Sequence, residues 1–194
     1  MADHHPPRIR TGILQHAELR QVEFVPIHAA SAFLHGSPLA GLVDGGTLFM
    51  QTPLTDPVEI WASIPPNARN EILERHIQLA ALDTAALARE HAPRPDLEVR
   101  MQGVALVGVF LRLAPFAAEA GLHREALLEA VRARLGRFFG KRGASVVEAN
   151  LAVVAAAYDR VIDVTAALSE SNAIPPVPQF AATEPVPALE EAIR

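Results

Sequence analysis

Three short apolar segments divide the first half of the chain: VEFVPIH at 22–28, GTLFMQT at 46–52 and IQLAALD at 77–83. Each has the length of a strand and ends at polar or turn-forming residues. Continuous hydrophobicity over so few residues is typical of parallel strands buried on both faces. Helical sequence separates the three segments, so the pattern predicts an α/β fold with a doubly wound parallel sheet and right-handed crossovers.

Helical periodicity fills the rest of the pattern. Residues 30–45 predict a helix that is interrupted near 36–38 and ends at Gly45, and prolines at Pro57 and at 65–66 mark two further helix starts. After the third strand the pattern predicts four more helices, at 84–91, 98–113, 123–139 and 145–167. About three strands make a thin sheet for so much helix, so we expect a partner chain to complete it.

Two features of the last helices bear on how they pack. Gly140 to Gly143 predict a tight corner, after which Ser145 and Glu148 form a capping box for the final long helix. On that helix Asn150 lies beside an apolar stripe, where it either satisfies its own bonds in the core or meets another subunit. In the helix at 98–113, Gly103 and Gly108 predict close approach of a neighbouring backbone.

The chain divides into a flexible N-terminus at 1–8, an α/β domain at 9–167 and a tail at 168–194. Prolines prevent a regular helix over most of the tail, so it is either an extended arm on a partner or a disordered end. Phe180 is its only aromatic residue and the expected interface anchor.

Composition and charge exclude several classes of function. The 194 residues are 50% hydrophobic and carry a formal net charge of −5, which disfavours nucleic acid and anionic membrane surfaces as partners. The absence of cysteine excludes thiolate-bound iron–sulfur clusters, disulfides and thiol nucleophiles from this sequence. The N-terminus has no apolar signal core and no segment reaches about eighteen unbroken apolar residues, so a cytoplasmic location is expected.

Candidate binding residues lie where the predicted strands end. In open α/β sheets, ligands gather at the carboxyl ends of the strands, and His28, Thr52 and the Asp83–Thr84 pair occupy those ends here. Each residue has an ordinary structural alternative: His28 can satisfy loop backbone, and Asp83 or Thr84 can cap the following helix.

Motifs for independent catalysis are missing. The sequence contains no G-x-G-x-x-G, Walker A or G-x-S-x-G pattern, and its histidines include no pair at metal-binding helical spacing. VDGGT at 43–47, with Asn67 and Asn70 further on, is similar in part to a thiamine diphosphate motif but lacks its first glycine. We therefore assign no catalytic residue, metal or cofactor to this chain.

Several local patterns occur in one order: a double glycine opening a strand that ends in Thr52–Pro53, a Glu-x-Trp helix at 59–61, DTAALA from Asp83, MQ at 101–102, and FFGKRGASVVEAN at 138–150. Together they resemble the gamma subunit, or gamma domain, of the pyruvate:ferredoxin (flavodoxin) oxidoreductases, within the 2-oxoacid:acceptor oxidoreductase family. The resemblance covers roughly residues 8–164, and the family's strand-ending histidine corresponds to His28.

The resemblance implies a subunit of a larger enzyme. Members of the family convert a 2-oxoacid and coenzyme A into an acyl-CoA and carbon dioxide, and pass electrons to ferredoxin or flavodoxin. Thiamine diphosphate, magnesium and iron–sulfur clusters would be held by partner subunits. The gamma unit would border the coenzyme A side of the active site, with His28, Thr52, Asp83 and Thr84 facing the substrate.

This sequence departs from the family pattern in two places. Family gamma units begin with a glycine-containing strand–turn–helix segment that is not found here, so we expect either that another chain supplies it or that the domain is truncated. Glu98–Val99 stand where the family has Asn-Thr. The working hypothesis is a gamma-type subunit of a pyruvate oxidoreductase. The alternatives are a non-catalytic scaffold of such a complex and an independent small-molecule-binding α/β domain.

Overall fold

The computed structural model describes residues 21–139 and 143–171. In these residues the sheet has the order β1–β2–β3–β4, with β1 at Val22–Ile27, β2 at Leu42–Gln51, β3 at Gln78–Leu82 and β4 at Ile162–Asp163. The first three strands are parallel and β4 is antiparallel to β3. The predicted α/β class is confirmed. The short fourth strand makes the sheet mixed and was not predicted.

The helices cover both faces of this sheet. The structure places α1 at Ala32–His35, α2 at Pro57–Ala62, α3 at Pro66–Glu74, α4 at Thr84–His91, α5 at Glu98–Leu113, α6 at Pro115–Glu119, α7 at Arg124–Phe139, α8 at Ala144–Arg160 and α9 at Val164–Glu170. Pro57 and Pro66 occupy first-turn positions, as predicted. Asp56 caps α2 by accepting hydrogen bonds from the backbone N–H groups of Val58 and Glu59.

Strand alternation separates two hydrophobic cores. Leu48 and Met50 of β2 face a first cluster together with α2, α3 and α9, whereas Phe49 faces a second cluster together with α4, α5 and α8. All three side chains are fully buried. Because consecutive strand residues point to opposite faces, the unbroken apolar run Leu48–Met50 of β2 must be covered on both sides. The predicted two-sided coverage therefore follows from β2 itself.

The helix predicted over 30–45 is wrong beyond Gly36. Only α1 forms there, and β2 begins at Leu42, four residues before the predicted strand. The segment between α1 and β2 is held in place by Arg75, which follows α3. Its guanidinium donates to the backbone carbonyl oxygens of Leu39 and Leu42 and to the Asp44 carboxylate. The hydrogen bond to Asp44 contributes most to raising the pKa of Arg75. A contact made across more than thirty residues leaves no local sequence pattern.

The long helix predicted at 145–167 is two helices. α8 ends at Arg160, β4 follows, and α9 starts at Val164 with the Asp163 side chain as its cap. The predicted capping box is also wrong, because α8 begins at Ala144 with Gly143 as its N-cap and makes no side-chain cap bond. Glu148 pairs instead with Arg132 of α7. The corner residues 140–142 lie outside the described residues.

Ion pairs join α8 to its neighbours. Arg124 of α7 donates two hydrogen bonds to Asp159, at 2.7 and 2.5 Å, and lowers the pKa of that carboxyl group. Arg160 likewise makes a bidentate pair with Glu90 of α4, with Nη1 donating to Oε2 at 2.6 Å and Nη2 donating to Oε1 at 3.0 Å. These pairs are solvated, so they fix the register of α8 more than they stabilise the fold.

Candidate functional site

A pocket of about 200 Å³ opens at the carboxyl-terminal edge of the sheet, on the face covered by α4 and α5. Its lining comes from the ends of β1 and β2, the start of α4 and the first turns of α5: Pro26, Ile27, His28, Phe49, Gln51, Thr84, Val99, Gln102, Gly103 and Leu106. This is the edge at which open α/β sheets bind ligands. We therefore take this pocket, called the strand-end pocket below, as the candidate site.

Gln51 reaches the pocket because of its place in β2. It lies two residues after Phe49 and therefore points to the same face of the sheet, toward α4 and α5. Its Oε1 atom accepts two hydrogen bonds from Thr84, at 2.6 Å from the backbone N–H and at 2.5 Å from the hydroxyl group. Its Nε2 atom donates to Asp83 Oδ1 at 3.2 Å. One glutamine side chain thus ties the end of β2 to the start of α4.

Asp83 is the structural member of this network. Its Oδ1 atom also accepts from the Ala86 backbone N–H at 2.9 Å, which makes Asp83 the N-cap of α4. Of the two capping alternatives predicted from sequence, the Asp83 cap is confirmed. The Asp83 carboxylate is bonded to Gln51 but is not part of the pocket lining.

The hydrogen-bond network also fixes what the pocket can offer a ligand. Thr84 is buried, and its hydroxyl hydrogen is directed to Gln51, so its oxygen lone pairs remain as acceptors. Gln102 adds an amide with both a donor and an acceptor, and His28 adds an exposed imidazole at the rim. None of the lining residues is an aspartate, glutamate, lysine or arginine. The pocket is therefore neutral and part apolar, with a few directional polar groups.

The structure places the sequence-predicted strand-end residues unequally. His28 and Thr84 both line the pocket, and Asp83 is one hydrogen bond away from it through Gln51. Thr52 is buried on the other side of the strand end, where its hydroxyl oxygen accepts from the Leu54 backbone N–H at 3.2 Å. Thr52 therefore shapes the turn after β2, and it does not line the pocket.

Of the two predicted interface residues, the structure describes only Asn150, which does not line the strand-end pocket. Asn150 is buried on α8, and its Nδ2 atom donates to the Val146 carbonyl oxygen one turn earlier, at 2.7 Å. That bond is the core alternative considered from sequence. Phe180 and most of the predicted tail lie outside the described residues, although α9 extends the helical region to Glu170.

Sequence reasoning missed the central residue of the site, Gln51. The available signal was the alternation of side chains along a strand. A polar residue two positions after a core phenylalanine must point to the same face of the sheet as that phenylalanine. The four α5 residues in the lining were also not assigned to a site, although Gln102 and Val99 belong to segments that the sequence had singled out. Which face of the sheet α5 would cover cannot be read from the pattern alone.

We expect Gln51→Met to lower the free energy of unfolding by about 2 kcal/mol, because it leaves the buried Thr84 N–H without its acceptor. Urea unfolding followed by circular dichroism measures this. Gln102→Met is the matched control: it makes the same change in the same pocket but outside the Gln51 network, and should cost less than about 0.5 kcal/mol. Equal effects of the two changes would mean that Gln51 does not hold α4 in place.

A second, larger cavity is a groove of about 400 Å³ between α7 and α8. Its floor is formed by leucine and alanine side chains, and its rim carries charged groups that include the Arg132–Glu148 pair. It is far less enclosed than the strand-end pocket and lies outside the sheet.

Within residues 21–139 and 143–171, no group of three or more His, Asp or Glu residues is arranged to hold a metal ion. Among those residues, too, no helix combines the length and the apolar character needed to cross a membrane.

Comparison with known proteins gives three consistent findings. A family model described as pyruvate ferredoxin/flavodoxin oxidoreductase matches residues 7–160. A pyruvate oxidoreductase subunit, PORC, from Thermotoga maritima has a similar solved structure, with a TM-score of 0.50 and 17% identity over 74% of this chain and 65% of that one. At that identity the structural match supports the fold alone.

Two curated relatives are much longer proteins. A protein described as a putative pyruvate-flavodoxin oxidoreductase from Synechocystis is 25% identical over 70% of this chain and 10% of its own length. A pyruvate-flavodoxin oxidoreductase from Trichormus variabilis is 24% identical over 82% of this chain and 12% of its own length. The chain therefore spans about a tenth of each of these relatives.

Proposed function

The chain belongs to the pyruvate ferredoxin/flavodoxin oxidoreductase family, and we propose that it is a gamma-type subunit of a multi-subunit 2-oxoacid oxidoreductase. The proposed substrate is pyruvate, which is oxidatively decarboxylated to an acyl-CoA with ferredoxin or flavodoxin as the electron acceptor. In this proposal the chain carries no catalytic residue. It contributes one wall of the active-site cavity, on the side where coenzyme A enters.

The observation that carries this proposal is the strand-end pocket, found within the family-matched region. Coenzyme A combines a charged nucleotide end with a neutral arm of methylene and amide groups that ends in a thiol. A neutral pocket with apolar walls, a hydroxyl acceptor at Thr84 and an amide at Gln102 suits the arm. It does not suit the phosphates, which favour arginine and lysine. We therefore assign the pocket to the thiol-bearing arm.

The described residues do not fit the cofactors of the reaction. The sequence has no cysteine for an iron–sulfur cluster. Gly45 and Gly46, the glycines of the partial thiamine motif, belong to the bent start of β2, where Gly45 has φ of +74°. The described residues also provide no metal-binding group of three. We propose that thiamine diphosphate, magnesium and the clusters are bound by partner subunits, and that this chain's residues orient the acyl acceptor and exclude water around its thiol.

The test is purification from the native source under anaerobic conditions through a C-terminal tag. We expect thiamine- and cluster-bearing chains to co-purify, with coenzyme A-dependent reduction of a low-potential dye by pyruvate. A better rate with another 2-oxoacid would correct the substrate. If removing the chain disperses the remaining subunits, a scaffold role is favoured, whereas an intact complex that has lost coenzyme A-dependent turnover favours the pocket. A lone monomer without activity would contradict the proposal.

A further inference from the structure

The outer edge of β1 differs from the rest of the sheet. Residues 46–50 of β2 and four of the five residues of β3 are buried, whereas along β1 only Ile27 is buried and the other residues are half-buried or exposed. Among the described residues no strand pairs with β1 on the side away from β2. β4, at the opposite edge, has only two residues, so it presents little backbone for pairing. β1 is thus the one long open edge of the described sheet.

An aromatic cluster lies at this edge. Phe24 of β1 packs edge-to-face on Phe110 of α5, with ring centroids 5.4 Å apart, and Phe110 in turn packs on Phe116 at 5.8 Å. Phe110 and Phe116 remain 42% and 39% exposed, and Val107 on the same helix is 43% exposed. Apolar side chains that pack together yet stay this exposed are typical of a surface that a partner covers.

The other face of β1 is incomplete in the same way. Val25 points to the opposite core, where it packs against the first cluster but is only half-buried. A helix laid on this edge would cover Phe24 or Val25, but not both, because they lie on opposite faces of the sheet. A strand would cover both, because its side chains alternate between the faces while its backbone bonds to the open edge.

We propose that the β1 edge is the docking site for a strand from another subunit, which continues the sheet and packs apolar side chains on Phe24 and Phe110. The inference rests on the proposed function, since the complex supplies the partner. Pro26 has no N–H to donate, so the ladder is interrupted at that residue. To cover both Phe24 and Val25, the partner strand requires apolar residues on both of its faces, and one face must accommodate the Phe110–Phe116 pair.

Hydrogen exchange measured by mass spectrometry tests the pairing. The amides of β1 that are not bonded to β2 should exchange at least about tenfold more slowly in the purified complex than in the isolated chain, because a paired strand protects its backbone. Phe110→Asp should weaken rebinding of the chain to the depleted complex by about thirtyfold, as expected for loss of a central aromatic anchor. Phe138→Asp, on α7, places the same charge at a phenylalanine that is 71% exposed and should not alter binding. Thermal unfolding shows whether both variants are folded.

The outcomes separate this inference from the proposed function. Slow exchange in the complex alone, with weak binding only for Phe110→Asp, supports the inference. A functional complex in which residues 22–27 exchange as fast as in the isolated chain overturns it and leaves the proposed function intact. Slow exchange in the isolated chain of the β1 amides that are not bonded to β2 also overturns it, because the edge is then filled by this chain itself or by a second copy. Failure to isolate any complex overturns both proposals.

Discussion

Replacing Gly108 with alanine is expected to lower the free energy of unfolding by about 3 kcal/mol. A Cβ atom at this position would lie 2.2 Å from the Val154 carbonyl oxygen and 2.9 Å from the Ala157 Cβ atom, so α5 and α8 would have to separate. Backbone cannot rotate away as a side chain does, and we put the overpacking cost at about 4 kcal/mol, above the ~1–3 kcal/mol usual for cores. Alanine's better helix propensity returns only about 1 kcal/mol.

The same helix provides the control. A Cβ atom at Gly103 would meet no heavy atom within 4 Å, so Gly103→Ala should stabilise the chain by roughly 0.5–1 kcal/mol through helix propensity alone. Differential scanning calorimetry of both variants would show a fall of about 6–12 °C in Tm for Gly108→Ala and a small rise for Gly103→Ala. Equal shifts in Tm would show that α5 and α8 do not pack as closely as the structure has them.

The two glycines also show how far sequence reasoning reaches. Both lie in an apolar helix and both predicted close backbone approach, but only Gly108 faces α8, and the prediction for Gly103 is wrong. A glycine pattern reveals that a Cβ atom is absent. It does not reveal on which side of the helix a neighbour will lie, because that depends on how α8 returns over α5 from more than thirty residues away.

The fold was predictable where local signals agree. Helix α5 begins and ends as its apolar periodicity predicts, and α4 begins at the Asp83 cap. The prediction errors occur where contacts between residues far apart in the sequence determine the local structure. Arg75 holds the loop before β2, and antiparallel pairing of Ile162 and Asp163 with β3 interrupts the last predicted helix. Two residues of strand are too short to give a period, so pairing with β3 could not be foreseen.

The sequence predicted where the candidate site lies, but it predicted only some of the residues that form it. The rule that ligands gather at strand ends led to His28 and Thr84, which the structure brings together in one pocket. The same rule led to Thr52, which points to the opposite face, while its neighbour Gln51 lines the pocket. The topology therefore locates the edge of the sheet at which a ligand would bind. The alternation of side chains along each strand decides which residue at that edge faces the pocket.

Filling the strand-end pocket is expected to reduce kcat/KM for coenzyme A in the assembled enzyme by about a hundredfold. Gly103 lines the pocket with open space in front of its Cα atom, so Gly103→Phe places an aromatic ring at the pocket mouth without a backbone clash. A displaced thiol arm loses its alignment with the reacting carbon, and small misplacements cost rates of this order. Because the helix tolerates the substitution, the variant should remain folded and bound to its partners.

Steady-state kinetics of the purified complex would measure this effect with both substrates varied. If the pocket holds the coenzyme A arm, Gly103→Phe raises KM for coenzyme A and leaves KM for the 2-oxoacid unchanged, while Gly103→Ala, which adds only a methyl group, falls between wild type and Phe. A matched rise in both KM values would indicate a general distortion of the active site. Wild-type kinetics in the Phe variant would show that coenzyme A does not use this pocket. The strand-end residues would then act only to hold α4 and α5 on the sheet, a role that the Gln51–Thr84 bonds can perform without any ligand.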